Sequence, residues 1–155
     1  MNTPLQVGVI GLGILGEQYV RFFEAHPQAH VAAVADVRPH VAERIGQAAA
    51  APAFTDFRAM LRTHALDLVA VATPDPYHRD PVVAALEAGV PNIIQEKPLA
   101  TTVEDALVIC EAVERRRAKL FVNYANRAAA YDIATRYVIQ QGLLGEVVYG
   151  EARLD

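Results

Sequence analysis

A single cysteine, Cys110, stands in the 155 residues, which excludes an internal disulfide and any cysteine-rich zinc site. Its apolar neighbours on a predicted helix point to a buried structural thiol, and no metal-ligand set is expected. Basic clusters are also scarce. The formal charge is -4, and the densest cationic run, Arg115-Arg116-Arg117 with Lys119, closes a predicted helix and reads as its solvated end. Nucleic acid is therefore excluded as a main partner, because backbone binding requires a clustered positive face. No uninterrupted apolar segment is long enough to cross a membrane, and the N-terminus lacks the charged region of a signal peptide. A soluble, cytoplasmic protein with no membrane partner is the expectation. The hydrophobic fraction of 53% is globular, and the length suits one domain with a real core.

The opening stretch organises the chain. An apolar run, Leu5 to Ile10, breaks into Gly11-Leu12-Gly13-Ile14-Leu15-Gly16 and turns helical, the pattern of the first strand, turn and helix of a dinucleotide-binding βαβ unit. Gly11 allows the tight turn, Gly13 lets a pyrophosphate approach the backbone, and Gly16 lets the helix lie against the strands. The phosphates would sit on the free N–H groups at the start of that helix. A second predicted strand, His30 to Asp36, ends in an acid about 20 residues after the glycines, where the fingerprint expects a carboxylate on the adenosine ribose. Asp36 favours NAD; Arg38, two residues on, offers a cation to a 2′-phosphate and keeps NADP open.

Further strands and helices alternate. Helices are expected from Ile14 to His26, from Pro39 to about Ala50, from Thr55 or Asp56 to His64, and from about Asp80 to Gly89. Another runs from Val103 to about Arg117, capped by Thr102. Short strands are expected at Pro52-Ala53-Phe54, Asp67 to Thr73, Val90 to Gln95 and Leu120 to Tyr124. The result is an α/β fold, a doubly wound and mainly parallel sheet with right-handed crossovers. After Tyr124 the pattern changes to a helix, Ala128 to Gln141, and an alternating strand, Glu146 to Leu154. Residues 1–124 are thus expected to form the nucleotide-binding domain, and 125–155 the start of an incomplete second, α+β domain. A lone strand must pair with something, which predicts self-association into a homo-oligomer.

Two strands deliver chemistry to the C-terminal sheet edge, where open α/β sheets bind ligands. One ends in Thr73-Pro74-Asp75, followed by His78; the next ends in Glu96-Lys97-Pro98. A lysine leaving a strand beside a dinucleotide is placed to act on a substrate. His78 has the alternative reading of a helix-capping or packing residue.

This set, with Asp36-Val37-Arg38 and the later Gly142-x-x-Gly145-Glu146-Val147, resembles the Gfo/Idh/MocA family of NAD(P)-dependent oxidoreductases, in order and spacing along essentially the whole chain. The resemblance implies a Rossmann domain and a second domain with a largely antiparallel sheet. It further implies hydride transfer between nicotinamide and a hydroxyl or keto carbon of a sugar, polyol or related small molecule. Lys97 would contact substrate and nicotinamide ribose and assist proton transfer at the reacting hydroxyl. Glu96 would hold that lysine or meet the nicotinamide end, Thr73 and Pro74 would line the cofactor groove, and His78 would lie on the nicotinamide side. Asn123, Tyr124 and Arg127 match a looser segment that approaches substrate; alanines replace the phenylalanine and proline that often follow Arg127 in the family. The family's second proton-transfer partner belongs to the C-terminal domain, beyond this sequence, so the chain is expected to be incomplete for turnover by itself. Two other readings stay open: a non-catalytic NAD(P)-binding module, and a different Rossmann reductase, which explains the glycines but not Glu96-Lys97-Pro98 together with Thr73-Pro74-Asp75.

Overall fold

The computed structural model describes residues 3–151. It forms two compact units, the first ending at Asn123 and the second starting at Tyr124.

The first unit is a six-stranded sheet. Its strands are β1 (Leu5–Ile10), β2 (Ala29–Ala35), β3 (Ala53–Phe54), β4 (Leu68–Val71), β5 (Asn92–Glu96) and β6 (Lys119–Asn123), all parallel in the order β3-β2-β1-β4-β5-β6. The helices between them are α1 (Ile14–Ala25), α2 (Pro39–Ala48), α3 (Phe57–Thr63), α4 (Arg79–Glu87) and α5 (Val103–Arg116). The order reverses between β1 and β4. That switch point opens a crevice at the C-terminal strand ends.

Side-chain alternation along the central strands feeds a core on each face. Val7 and Val9 of β1 and Ala70 of β4 join Val20, Phe23, Val41 and Ile45 from α1 and α2. Ile10, Val69 and Val71 point the other way, against Met60, Val82, Leu86 and Ile109 from α3, α4 and α5. Strands covered on both faces have no polar alternation, which is why their sequences read as continuous apolar runs. Each fully buried Val, Ile or Leu contributes about 1.5–3 kcal/mol.

Local chemistry sets the helix ends. Pro39 occupies the first turn of α2, where a missing N–H costs nothing. Asp56 accepts from Arg58 N (2.9 Å) to cap α3, and the Thr102 hydroxyl accepts from Asp105 N (3.1 Å) to cap α5.

Cys110 corrects one expectation: it is exposed. Helix α5 buries only Ile109 and Ala112 fully, and the residue after Ile109 lies 100° round the helix, off that narrow stripe.

The second unit contains a 3₁₀ turn (Ala125–Ala128) and α6 (Ala130–Gln140). The strand expected over Glu146 to Leu154 is not formed over 146–151, and 152–154 lie outside the described residues. Strand geometry is held by ladder hydrogen bonds to a neighbour, and alternation alone does not supply them. Among the described residues no helix is long and apolar enough to cross a membrane.

Candidate functional site

The crevice at the switch point is a groove of about 870 Å³. Its floor is the turn between β1 and α1. Gly11 has φ +84°, and a Cβ there would lie 2.7 Å from both the Ala72 carbonyl carbon and Thr73 N; only glycine combines that φ with that proximity. A Cβ on Gly16 would collide with the Gly11 carbonyl oxygen, so α1 is seated directly on the turn. Around Gly13 the space is open: a Cβ there would meet nothing within 4 Å. The turn is thus closed behind and vacant in front, the shape that lets a phosphate reach the first N–H groups of α1.

Of the residues singled out in the sequence, Gly11, Gly13, Ile14 and Leu15 line this groove, as do Asp36, Val37 and Arg38 beyond β2 and Thr73, Pro74 and Asp75 beyond β4. Leu12 and Gly16 instead build the turn from beneath. The Leu12 side chain is in the core, and its N–H donates to Asp36 Oδ2 (2.8 Å).

Asp36 is 8% exposed and fully engaged. Besides Leu12, its carboxylate accepts from Arg38 N (2.9 Å), Nε (2.8 Å) and Nη2 (2.9 Å). Burial opposes its charge, but the bonds from Arg38 and the two backbone amides outweigh that and hold its pKa at about 2. The guanidinium itself is half exposed.

Several groove residues were not among the site residues singled out in the sequence. Thr55 and Phe57 follow β3 at the same sheet edge, and Tyr77, Arg79 and Asp80 follow β4. The edge rule alone would have found them. Arg79 pairs with Asp105 (2.9 Å) and Asp80 (2.9 Å), and Thr73 Oγ1 donates to Tyr77 O (3.0 Å), closing the turn between them.

His78 does not line the groove. It is 1% exposed, with Nδ1 at 2.7 Å from Pro98 O and Nε2 at 2.9 Å from Thr73 O. The ring joins the loop after β4 to the loop after β5 and has no face left for a nicotinamide, contrary to the place expected for it. Gln95, fully buried, braces the same junction: its Nε2 donates to Pro98 O (3.0 Å) and Leu99 O (2.8 Å), while Oε1 has no partner among the described residues.

Glu96 and Lys97, expected at the cofactor, leave β5 at this edge but are not among the residues that line the groove, and they differ in environment. Lys97 is exposed and makes no hydrogen bond or ion pair among the described residues. Glu96 is 7% exposed and does not hold the lysine. Its Oε1 accepts from the Tyr19 hydroxyl of α1 (2.7 Å) and from Asn123 Nδ2 of β6 (2.9 Å), and Asn123 also donates to the Tyr19 oxygen (2.8 Å). Burial and the neighbouring Glu96 charge push the Tyr19 phenol well above its ordinary range, so it remains a donor. Nothing in the sequence ties Tyr19 to Glu96, 77 residues away. Tyr124 and Arg127 lie in the second unit, where Arg127 N donates to Tyr124 O (2.9 Å).

A parallel sheet with a glycine turn under a helix N-terminus and an acid at the end of the second strand defines a Rossmann-type dinucleotide-binding protein. Residues 5–124 match the family described as "Oxidoreductase family, NAD-binding Rossmann fold", Gfo/Idh/MocA, and the chain belongs to it. It is 34% identical over 146 residues to an inositol 2-dehydrogenase/D-chiro-inositol 3-dehydrogenase of Shouchella clausii, covering 92% of this chain and 42% of that protein. It is 29% identical to a D-glucoside 3-dehydrogenase of Escherichia coli, covering 98% and 44%. Among solved structures, myo-inositol 2-dehydrogenase of Lactobacillus plantarum superposes with a TM-score of 0.87 at 21% identity, over 95% of this chain and 44% of that one. The chain therefore spans less than half the length of these relatives.

Proposed function

We propose that this chain binds NAD(H) in the groove over α1 and forms the cofactor-binding part of a dehydrogenase acting on a hydroxyl carbon of a polyol or sugar. The observation that carries the reading is the glycine turn, blocked behind Gly11 and Gly16 and open in front of Gly13, with Asp36 at the far end of the same groove. NAD(H), when bound, supplies the hydride acceptor or donor. The chain's own part is to hold the pyrophosphate on the α1 N–H groups, to anchor the adenosine ribose at Asp36, whose carboxylate exchanges its bonds from the Arg38 guanidinium for the ribose hydroxyls, and to present Lys97 beside the reacting end. An unpaired ammonium there orients a hydroxyl oxygen and shares the proton that must leave as the carbon is oxidised. The substrate class follows the inositol and glucoside dehydrogenases to which the chain is similar. Asn123, Tyr124 and Arg127 are assigned to the substrate side only by family resemblance.

NAD is favoured over NADP. The Arg38 guanidinium is held on Asp36 by two hydrogen bonds, so freeing it to meet a 2′-phosphate would bare the carboxylate's charge beside that phosphate. A homo-oligomer is part of the same reading, since β6 is an edge strand with Phe121 62% exposed. Sedimentation at rising concentration should show self-association, and a strictly monomeric profile would count against it.

Fluorescence titration with NADH, NAD and NADP, followed by turnover with a panel of inositols and glucosides, tests the whole proposal. Binding with turnover supports it. Binding without any turnover would leave a cofactor-binding module, and no binding of either dinucleotide would overturn the reading.

A further inference from the structure

Past Asp36 the groove continues along a stretch that neither the glycine turn nor the acid uses. Val37 and Tyr77 line it and are 82% and 66% exposed, two apolar surfaces that a flat ring would cover. Asp80, in the first turn of α4, lines the same stretch. Its Oδ1 accepts from Arg79 Nε (3.0 Å) and lies 2.9 Å from Arg79 Nη2, while Arg79 Nη1 donates to Asp105 of α5 (2.9 Å). That clamp fixes the orientation of the carboxylate. Oδ2 has the Arg58 guanidinium of α3 at 3.9 Å, beyond hydrogen-bond reach, and accepts no hydrogen bond among the described residues. The approach to α3, the helix after β3, sets Asp80 on the adenosine side of the switch point, because β3 neighbours β2 and Asp36 follows β2.

On the cofactor reading given above, we infer that Asp80 selects the base of the dinucleotide by its exocyclic amine, and that Arg79 is the residue that positions it. A base whose ribose is anchored at Asp36 would meet Val37 and Tyr77 with its faces and Asp80 with its edge. An ionised carboxylate only accepts hydrogen bonds. Adenine offers it the N6 amine, a donor. Hypoxanthine carries a carbonyl oxygen in place of that amine, so acceptor faces acceptor and the same wall disfavours it. The glycine turn and Asp36 recognise pyrophosphate and ribose, which both dinucleotides share. Asp80 adds the choice of base.

The test compares NADH with reduced nicotinamide hypoxanthine dinucleotide, its deamino analogue, by nicotinamide fluorescence on the 155-residue chain. The two ligands differ only at the base. Wild type should bind the deamino form about 10-fold more weakly. Asp80→Asn, whose amide can turn its NH2 toward the carbonyl oxygen, should bring the ratio of the two dissociation constants close to one. Arg79→Gln, which frees the carboxylate to turn, should lower it about 3-fold. A merely structural role would weaken both dinucleotides alike and leave the ratio where it was. A wild-type ratio near one, or a ratio unmoved in Asp80→Asn, would overturn the inference. Should Asp80→Asn fail to fold by circular dichroism, an unmoved ratio in Arg79→Gln overturns it equally. Failure of the wild-type chain to bind NADH or ADP-ribose is a different result, and sinks the cofactor reading itself.

Discussion

Gly13 and Gly16 lie three residues apart and separate binding from folding. At Gly13 the backbone has φ −73°, a value any residue adopts, and the space above it is open. Gly13→Ala should cost well under 1 kcal/mol of stability, the difference between glycine and alanine as helix caps, yet it places a methyl where the pyrophosphate must come. Denaturant melts should be nearly unchanged while NADH affinity falls by 10-fold or more. Gly16→Ala forces a methyl into the Gly11 carbonyl, so α1 must lift off the turn; a loss of about 2 kcal/mol or more is expected in the same melts. Asp36 adds a pH signature. Its pKa falls from an ordinary 3.8 to about 2 on folding, so the stabilisation is complete above pH 3.8 and disappears as pH drops through 2. Because its partner Arg38 is half exposed, solvent screening reduces the effect to roughly 1 kcal/mol. Urea melts between pH 5 and 2 should show wild type losing that much more stability than Asp36→Asn. Equal slopes would mean the pair contributes nothing.

At the scale of elements, α5 gives a clean comparison. Thr102→Ala removes the hydroxyl that accepts from Asp105 N and should cost about 1 kcal/mol. Cys110→Ser, on the exposed flank of the same helix, should stay within about 0.5 kcal/mol of wild type by the same thermal melts. The contrast also shows what sequence patterns record. Caps, proline stops and apolar runs are local, and they located β1, α1, α2, α3, α5 and α6 to within a residue or two. The side of a helix that faces the sheet depends on how wide a stripe the fold covers, and for Cys110 the pattern misled. Strand β4 and the loops after it were legible because the C-terminal edge binds ligands whatever the sequence. The Tyr19–Glu96–Asn123 cluster was not, since α1, β5 and β6 meet only in three dimensions. His78 was visible as a residue worth noting, but its role was set by two backbone carbonyls that no motif encodes. The alternation at 146–151 was visible too, and the partner that would turn it into a strand was not.

For the whole molecule, the six-stranded unit carries every residue of the groove, and the residues assigned to substrate by resemblance are divided between it and the unit starting at Tyr124. Cofactor affinity should therefore be a property of residues up to Asn123 alone. A chain ended there should bind NADH within about 3-fold of the 155-residue chain, measured by the same fluorescence titration; a larger loss would assign the second unit a share in the cofactor site. The bridge at His78 has a consequence of its own for motion. Because its buried ring is packed between Thr73 O and Pro98 O, with Gln95 Nε2 3.1 Å from Nδ1 and itself donating to Pro98 O, the loops after β4 and β5 share one buried polar cluster that opening either loop alone would break. Amide hydrogen exchange across 73–79 and 97–101 should then report a single opening free energy, and His78→Leu should split it into two.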